Sequence, residues 1–387
     1  MKRIASTPRD DWRTKIEYSG LIYSTSEKED GSLTDYWNEN AYYSLTDKEV
    51  TYLEVTTEKL HLMSIEAAKF LATGEMGTIS IGQEALELAA WSLEQNQPSL
   101  YGRFDFSFDG ESPAKMLEYN GDTPTGLIES AITQHQWATE KFPEKDQWNS
   151  LHEALIERWA ELRKAKQVNG NRLYFAHSMQ ESSGEDWLNT AYLRDTATQA
   201  GFETIGINVE DIGWNTIDNQ FRGNWDEHIP AIFKLYPWED LVYDDFGKNI
   251  IAYPETTQWI EPAWKMLIST KALLPAMWHL YPEHENLLPA YLDGPNGMKE
   301  WVKKPLHGRE GDNITIHAEG VDLVTPGDYG HEGFCYQKFN PLPDFNGNRA
   351  VIGSWVVGGK AVGGAIRESD SYVTDYYARF VPHIIEG

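Results

Sequence analysis

The sequence predicts a mixed α+β or α/β enzyme of several lobes. Three observations carry that class. A βαβ unit sits between residues 173 and 209, helices with capping signatures precede it, and everything after 301 is strand-dense and rich in glycine. At about 150 residues per domain, 387 residues suit two or three lobes. A hydrophobic fraction of 41% supplies a large core, and 24% charged residues argue against disorder.

Residues 1–45, rich in Tyr, Ser, Asp and Asn, read as irregular. A helix starts at Thr46, where Thr46-x-x-Glu49 forms a capping box, and runs to about Leu71 ahead of Thr73-Gly74. From Tyr101 to Phe108 the pattern alternates with period two, Asp109–Pro113 turns the chain, and Lys115–Asn120 extends again. That is a β-hairpin over 99–120. Ser150-x-x-Glu153 is a second capping box, and Leu151, Leu155, Trp159 and Leu162 trace one apolar helical face. A strand at 173–177, a helix at 185–199 stopped by Gly201, and a strand at 204–209 make the βαβ unit. An apolar strand follows at 231–236, and helix resumes after Glu261-Pro262 through residues 271–280. Strands at 301–306, 313–318, 333–339, 350–357 and 361–367 complete the chain.

Charge excludes whole classes of partner. With 60 Asp and Glu against 33 Lys and Arg, the net charge is -27, so no positive field draws nucleic acid or an anionic membrane. The acidic surface serves solubility first and is compatible with a cationic small molecule. A lone cysteine, Cys335, excludes disulfides and Cys-rich zinc modules, and its apolar strand makes it a core residue. The start of the chain lacks the apolar region of a secretory signal, and no apolar run is long enough for a membrane span. A cytoplasmic location is expected. The 15 Trp residues are scattered and read as core. Neither a His-x-x-x-His zinc pair nor a Gly-x-Ser-x-Gly elbow occurs.

Three stretches could carry chemistry. In the hairpin, Arg103 and Asp105 share a face, as do Glu118 and Asn120. If the two faces coincide, two carboxylates, an amide and a guanidinium converge. Oxygen donors of that kind suit Mg²⁺, and an arginine beside them offsets phosphoryl charge. The alternative is a solvated hairpin face with alternating charge. Second, Trp301–Asn313 passes from a strand ending in Lys303-Lys304-Pro305 to a loop holding Gly308 and Gly311, whose N–H groups could cradle phosphate. The alternative there is an ordinary Gly-rich turn. Third, the hairpin of residues 352–367 ends on Arg367, which could reach a phosphoryl group or form a surface ion pair.

Taken together, ProSerLeuTyrGlyArgPheAspPhe (98–106), LeuGluTyrAsnGlyAspThrProThr (117–125), PheLysLeuTyrProTrpGlu (233–239), GluProAlaTrpLys (261–265), LysAlaLeuLeuPro (271–275), ValLysLysProLeuHisGlyArgGluGly (302–311), IleGlySerTrpValVal (352–357) and ArgPheValProHis (379–383) resemble the synthetase domain of the glutathionylspermidine synthase family. The resemblance covers nearly the whole chain. It implies an ATP-grasp fold, circularly permuted because Glu118-x-Asn120 precedes the nucleotide lysines, with lobes around a central nucleotide cleft. The implied division is a metal and acceptor lobe over about 1–165, a pre-ATP-grasp lobe over 166–260 and a nucleotide lobe over 261–387.

The resemblance also implies roles. Asp105, Glu118 and Asn120 match the magnesium ligands, and Arg103 and Arg367 the arginines at the transferring phosphoryl group. Lys271 and Lys304 match the nucleotide-phosphate lysines, Gly308 and Gly311 the lid over the phosphates, and Gln337 the adenine hinge. Thr123 and Thr125 would hold a peptide substrate, and Glu185 and Asp186 an amine. The cofactor set would be about two Mg²⁺ ions, with ATP as cosubstrate. Family members with two activities carry an amidase domain, which this chain lacks, so amidase activity is not expected.

The expected activity is an ATP-dependent carboxylate–amine ligase acting through an acyl phosphate on small molecules, for instance a glutathione-like peptide and a polyamine. A nucleotide- or polyamine-binding protein of the same fold without turnover is the rival reading. It would not need the full set of Asp105, Glu118, Asn120 and Lys304. A Trp-rich carbohydrate-binding protein leaves the 301–313 loop unexplained.

Overall fold

In the computed structural model, which describes residues 1–28, 31–77, 79–181 and 183–386, the strands Tyr101–Ser107 and Lys115–Asn120 form the antiparallel hairpin that period-two alternation predicts. Lys115–Asn120 is the edge of a five-stranded sheet, which continues through Tyr101–Ser107, Arg349–Val357, Lys360–Ser369 and Arg379–Val381. The register sets Arg103 opposite Asn120 and Asp105 opposite Glu118, so the two polar faces do coincide.

A second five-stranded antiparallel sheet runs Ala290–Tyr291, Phe334–Lys338, Trp301–Pro305, Thr315–Ala318, Val321–Val324. Its central strand places Lys304 opposite Cys335 and Val302 opposite Gln337. The βαβ unit belongs to a parallel four-stranded sheet ordered Gln258–Ile260, Ala231–Leu235, Arg172–His177, Glu203–Asn208, with helix Glu185–Gln199 as its crossover. Gly201 follows that helix at φ 94°, a left-handed turn that a side chain would strain.

The capping box at Thr46 is present: Glu49 N–H donates to the Thr46 hydroxyl and the Glu49 carboxylate accepts from Thr46 N–H. The helix it opens, Asp47–Ala72, lays Leu53, Leu60, Ala67 and Leu71 into one of two hydrophobic cores among the described residues. The second core gathers Trp159, Phe175 and Phe233 between the parallel sheet and its helices. Trp37, Trp137, Trp159, Trp238 and Trp355 are among the fully buried side chains, as core tryptophans should be.

Three expectations are corrected. Residues 1–45 are not irregular. Lys2–Ala5 and Ala41–Thr46 form a sheet with His383–Glu386, Trp12–Tyr18 is helical, and Thr25–Glu27 pairs with Leu33–Asp35. The strands are only three to six residues long, and Ala41–Thr46 finds one of its partners, His383–Glu386, at the far end of the chain, which leaves little local pattern. Ser150 does not cap its helix, because its hydroxyl donates instead to the Val362 carbonyl at 2.9 Å. The helix after Pro262 is broken into Ala263–Lys265, Met266–Ser269 and Leu273–Leu280. Lys271 sits in the last gap, where its N–H donates to the Leu306 carbonyl at 2.8 Å and ties it to the second sheet.

Candidate active site

The two five-stranded sheets open onto one cleft of about 680 Å³. The hairpin supplies its floor. Arg103 Nε donates to Asp105 Oδ1 at 2.9 Å, and Arg367 Nη2 reaches Asp105 Oδ2 at 2.6 Å from two strands away. Asn120 Nδ2 lies 3.4 Å from Asp105 Oδ2 and 3.3 Å from Glu118 Oε1, so its amide bridges both carboxylates. Arg103 Nη1 also donates to the Thr125 carbonyl at 2.7 Å, which fixes the 123–126 turn beside the guanidinium.

The second sheet and the helix gap supply lysines. Lys271 Nζ stands 3.4 Å from Glu118 Oε2 and donates to the Gly308 carbonyl at 2.6 Å. Lys304 Nζ donates to the Leu117 carbonyl at 3.0 Å and to Gln337 Oε1 at 2.8 Å. Gln337 Nε2 in turn donates to the Met116 carbonyl at 3.1 Å, so its amide is committed to holding Lys304 against the hairpin edge. Burial works against ionised Glu118, but Lys271, Lys304 and Arg367 outweigh it and hold that carboxyl at about 2. Burial pushes Lys304 below the usual lysine range, opposed by the Glu118 charge.

Gly308 and Gly311 line the cleft on a loop pinned at several points. Arg309 Nη2 pairs with Glu239 Oε1 at 2.9 Å, and His307 N–H donates to Glu332 Oε1 at 3.2 Å. Gly311, at φ 77°, packs so closely that a Cβ would lie 2.6 Å from Val373 Cγ1. Thr123, Thr125, Glu185 and Asp186 line the same cleft. Glu185 and Asp186 open the helix Glu185–Gln199; burial raises both carboxyls, Asp186 to about 7 with the charges of Glu185 and Glu181 adding to it. Thus Arg103, Asp105, Glu118, Asn120, Thr123, Thr125, Glu185, Asp186, Lys271, Lys304, Gly308, Gly311, Gln337 and Arg367 all border one cavity.

Sequence reasoning passed over other members. Asp122 forms a buried pair with Lys234 at 2.6 Å and accepts from Trp238 N–H at 2.9 Å, joining the segment that leaves the hairpin to the strand Ala231–Leu235. Both lie inside blocks quoted above, so a pairing of opposite charges between blocks could have suggested them. Tyr23, Thr25, Ser26 and Tyr36 also line the cleft. They come from the segment that read as irregular, and no local signal marks them.

Among the described residues, no group of three or more His, Cys, Asp or Glu side chains gathers as a metal cluster. The donor set here is smaller: two carboxylates and an amide, facing lysines suited to phosphate. That fits Mg²⁺, which takes one or two carboxylates and completes its shell with phosphate oxygens and water.

The model of the glutathionylspermidine synthase preATP-grasp family matches residues 3–386. A Haemophilus influenzae protein provisionally named an acid–amine ligase is 40% identical over 397 residues, covering 99% of each chain. The bifunctional glutathionylspermidine synthetase/amidase of Escherichia coli is 26% identical over 375 residues, which cover 89% of this chain and 59% of that protein. In structure, the chain is similar to a glutathione synthetase-like effector from Globodera pallida in its apo form, with a TM-score of 0.56, 11% identity, and coverage of 97% and 96%. That likeness concerns the fold. No described helix is long and apolar enough to cross a membrane.

Proposed function

This chain belongs to the glutathionylspermidine synthase preATP-grasp family, and we propose that it is an ATP- and Mg²⁺-dependent carboxylate–amine ligase. The observation that carries the reading is the shared cleft where Glu118 meets Lys271 at 3.4 Å, with Asp105, Lys304 and Arg367 around them. Carboxylates for a cation, lysines for phosphates and arginines for developing charge are the parts that phosphoryl transfer requires.

In this reading Lys271 and Lys304 hold the ATP phosphates, and Gln337 acts on the nucleotide through Lys304. Asp105, Glu118 and Asn120 would hold Mg²⁺, which when bound draws charge from the phosphate oxygens. The acid, held by Thr123 and Thr125, attacks the terminal phosphorus through its carboxylate oxygen. ADP leaves and an acyl phosphate forms. Arg103 and Arg367 offset the charge that spreads over the transferring oxygens. The amine, drawn by Glu185 and Asp186, then attacks the acyl carbon; a C–N bond forms, the C–O bond to phosphate breaks, and an amide results. The loop of Gly308 and Gly311 excludes water that would hydrolyse the acyl phosphate. In this reading the chain is a permuted ATP-grasp enzyme, with residues of about 1–165, 166–260 and 261–387 as its lobes. By analogy with the names of its relatives, the acid is a glutathione-like peptide and the amine a polyamine.

A phosphate-release screen of peptide acids crossed with amines, with products read by mass, tests this. One pair should release phosphate and yield its amide in equal amounts. ATP binding with no turnover across the screen would favour the non-turnover relative instead.

A further inference from the structure

The second half of the proposed reaction leaves a proton unplaced. An alkylamine enters at neutral pH as an ammonium, whose nitrogen has no free lone pair, so a proton must leave before it attacks. A candidate acceptor lies just behind the cleft wall. Glu129, in the π-helical turn Ile128–Thr133, has no exposed surface. Its Oε1 accepts from the Tyr36 hydroxyl at 2.7 Å and the Tyr23 hydroxyl at 3.3 Å, and both tyrosines line the cleft. Its Oε2 is buried without a partner. An unpaired buried oxygen of this sort costs about 1–3 kcal/mol, which the fold carries without structural return.

Position connects Glu129 to the reacting centre. Gly126 stands between it and Arg103; a Cβ there would lie 3.8 Å from Arg103 Nη1 and 4.0 Å from Glu129 Oε2. Asn189 ties the same turn to the amine end, accepting from Leu127 N–H at 3.0 Å and donating to the Glu185 carbonyl at 2.9 Å.

Resting on the ligase reading, we propose that Tyr36 and Glu129 form a relay that deprotonates the attacking amine, with Glu129 the terminal acceptor. The Tyr36 oxygen takes a proton from the ammonium as its own O–H proton passes to Glu129 Oε1. One N–H bond breaks, a new tyrosine O–H forms, the old one breaks and a carboxyl O–H forms, so Tyr36 stays neutral throughout. The freed lone pair attacks the acyl carbon, and the remaining excess proton on nitrogen leaves with phosphate.

The surroundings suit the two groups to these tasks. Burial, then the Glu129 and Glu185 charges, keep the Tyr23 and Tyr36 hydroxyls from ionising. Burial and the Glu185 charge raise the Glu129 carboxyl to about 7, against the hydrogen bonds from Tyr36 and Tyr23. Arg103 and Arg367 are the cations facing this corner. Burial raises Glu185 as well, but Thr125 hydrogen-bonds to its carboxylate and Arg103 opposes the shift, so its oxygens are already engaged, whereas Glu129 keeps Oε2 without a partner.

Hydroxylamine separates deprotonation from everything else, since it is largely uncharged at neutral pH. Using an acid and a primary alkylamine that succeed in the screen, Glu129→Gln and Tyr36→Phe should each lower amide formation by about 100-fold or more. Hydroxamate formation should stay at the wild-type rate. The wild-type amide rate should climb with pH and level off above about 7, whereas in Glu129→Gln, which depends on amine already deprotonated in solution, it should go on climbing towards the alkylamine's own range. Tyr36→Phe leaves the carboxylate in place and decides the matter if Glu129→Gln does not fold. Equal losses of amide and hydroxamate, or full amide formation in both variants, would overturn the relay. A wild-type enzyme that forms neither product with any acid refutes the ligase reading, and the relay falls with it.

Discussion

Arg367 Nη2 stands 2.6 Å from Asp105 Oδ2 although a whole strand, Arg349–Val357, separates their own strands. The gap is bridged because the residue opposite Asp105 on that intervening strand is Gly353, and opposite Gly353 on the third is Ala365. A Cβ on Gly353 would lie 2.9 Å from Arg103 Cδ and 3.4 Å from Ala365 Cβ. Gly353→Ala should therefore push Arg103 off Asp105 while the sheet stays paired. A displacement of this size at a reacting centre costs about 100-fold in turnover. Steady-state phosphate release on a variant with wild-type melting behaviour checks it.

Glu118→Gln tests the carboxylate that the lysines hold ionised. At about 2, Glu118 is fully charged at any working pH, so the change removes a charge rather than a proton. Mg²⁺-dependent turnover should fall by about two orders of magnitude or more. Because Lys271 retains the Gly308 carbonyl and Lys304 retains Gln337 and the Leu117 carbonyl, the fold should survive. Normal turnover in Glu118→Gln with an authentic acid and amine would remove it from the proposed metal set.

Lys303 and Lys304 are neighbours with opposite fates. Lys304 points into the cleft, while Lys303 Nζ sits 3.7 Å above the Phe334 ring. Calorimetry should find ATP binding lost in Lys304→Ala and retained in Lys303→Ala. Lys304→Ala also leaves Gln337 Oε1 and the Leu117 carbonyl without their donor, a stability cost of about 1–3 kcal/mol that urea unfolding can measure. A larger loss of affinity at Lys303 would contradict the observed strand register.

The hairpin was legible because its chemistry and its periodicity coincide: residues two apart share a face, and the two strands are joined by a short turn. Lys304 was legible by its block, but not its dependence on Gln337, which rests on cross-strand register. Lys271 was legible as a lysine in a helix and misplaced in its backbone, since the break that frees it depends on Leu306 in another sheet. Tyr23 and Tyr36 were invisible: their contacts with Glu129 span 106 and 93 residues. Trp37 likewise bridges to Phe380 at the other end of the chain. Nothing in a local window records such pairings.

Acid sensitivity should come partly from buried histidines. Burial holds His61 and His383 at about 4, below the ordinary 6.5, with Lys265 adding to the effect at His61. The unfolded chain therefore binds more protons between those values, and stability rises with pH. Their contribution is complete above 6.5 and is lost as pH falls towards 4. The Trp148 backbone group that partly offsets the burial of His383 keeps another partner, Gly364 N–H at 2.9 Å, so His383→Leu removes a buried polar group without orphaning another. Urea midpoints at pH 7 and pH 5 should differ less in His383→Leu than in wild type. An unchanged difference would place the acid sensitivity elsewhere.

Arg309 offers a test of the loop as a water barrier. Its guanidinium pairs with Glu239 on the short helix Trp238–Leu241, an ionic tie between the 307–312 loop and that helix. The arginine side chain is 43% exposed, so the pair is worth at most about 1 kcal/mol. Losing it shifts the balance between closed and open loop by roughly fivefold, not wholly. Lys271 still anchors the Gly308 carbonyl, so nucleotide affinity should change little in Arg309→Ala. What should change is the fate of the acyl phosphate. An open loop admits water, and water competes with the amine for the same carbonyl carbon. Phosphate release should then outrun amide formation, and the excess should shrink as amine concentration rises, because amine and water are rivals for one intermediate. A variant that releases phosphate and forms amide in strict equality, at low amine as at high, would mean that water is excluded by something other than this loop.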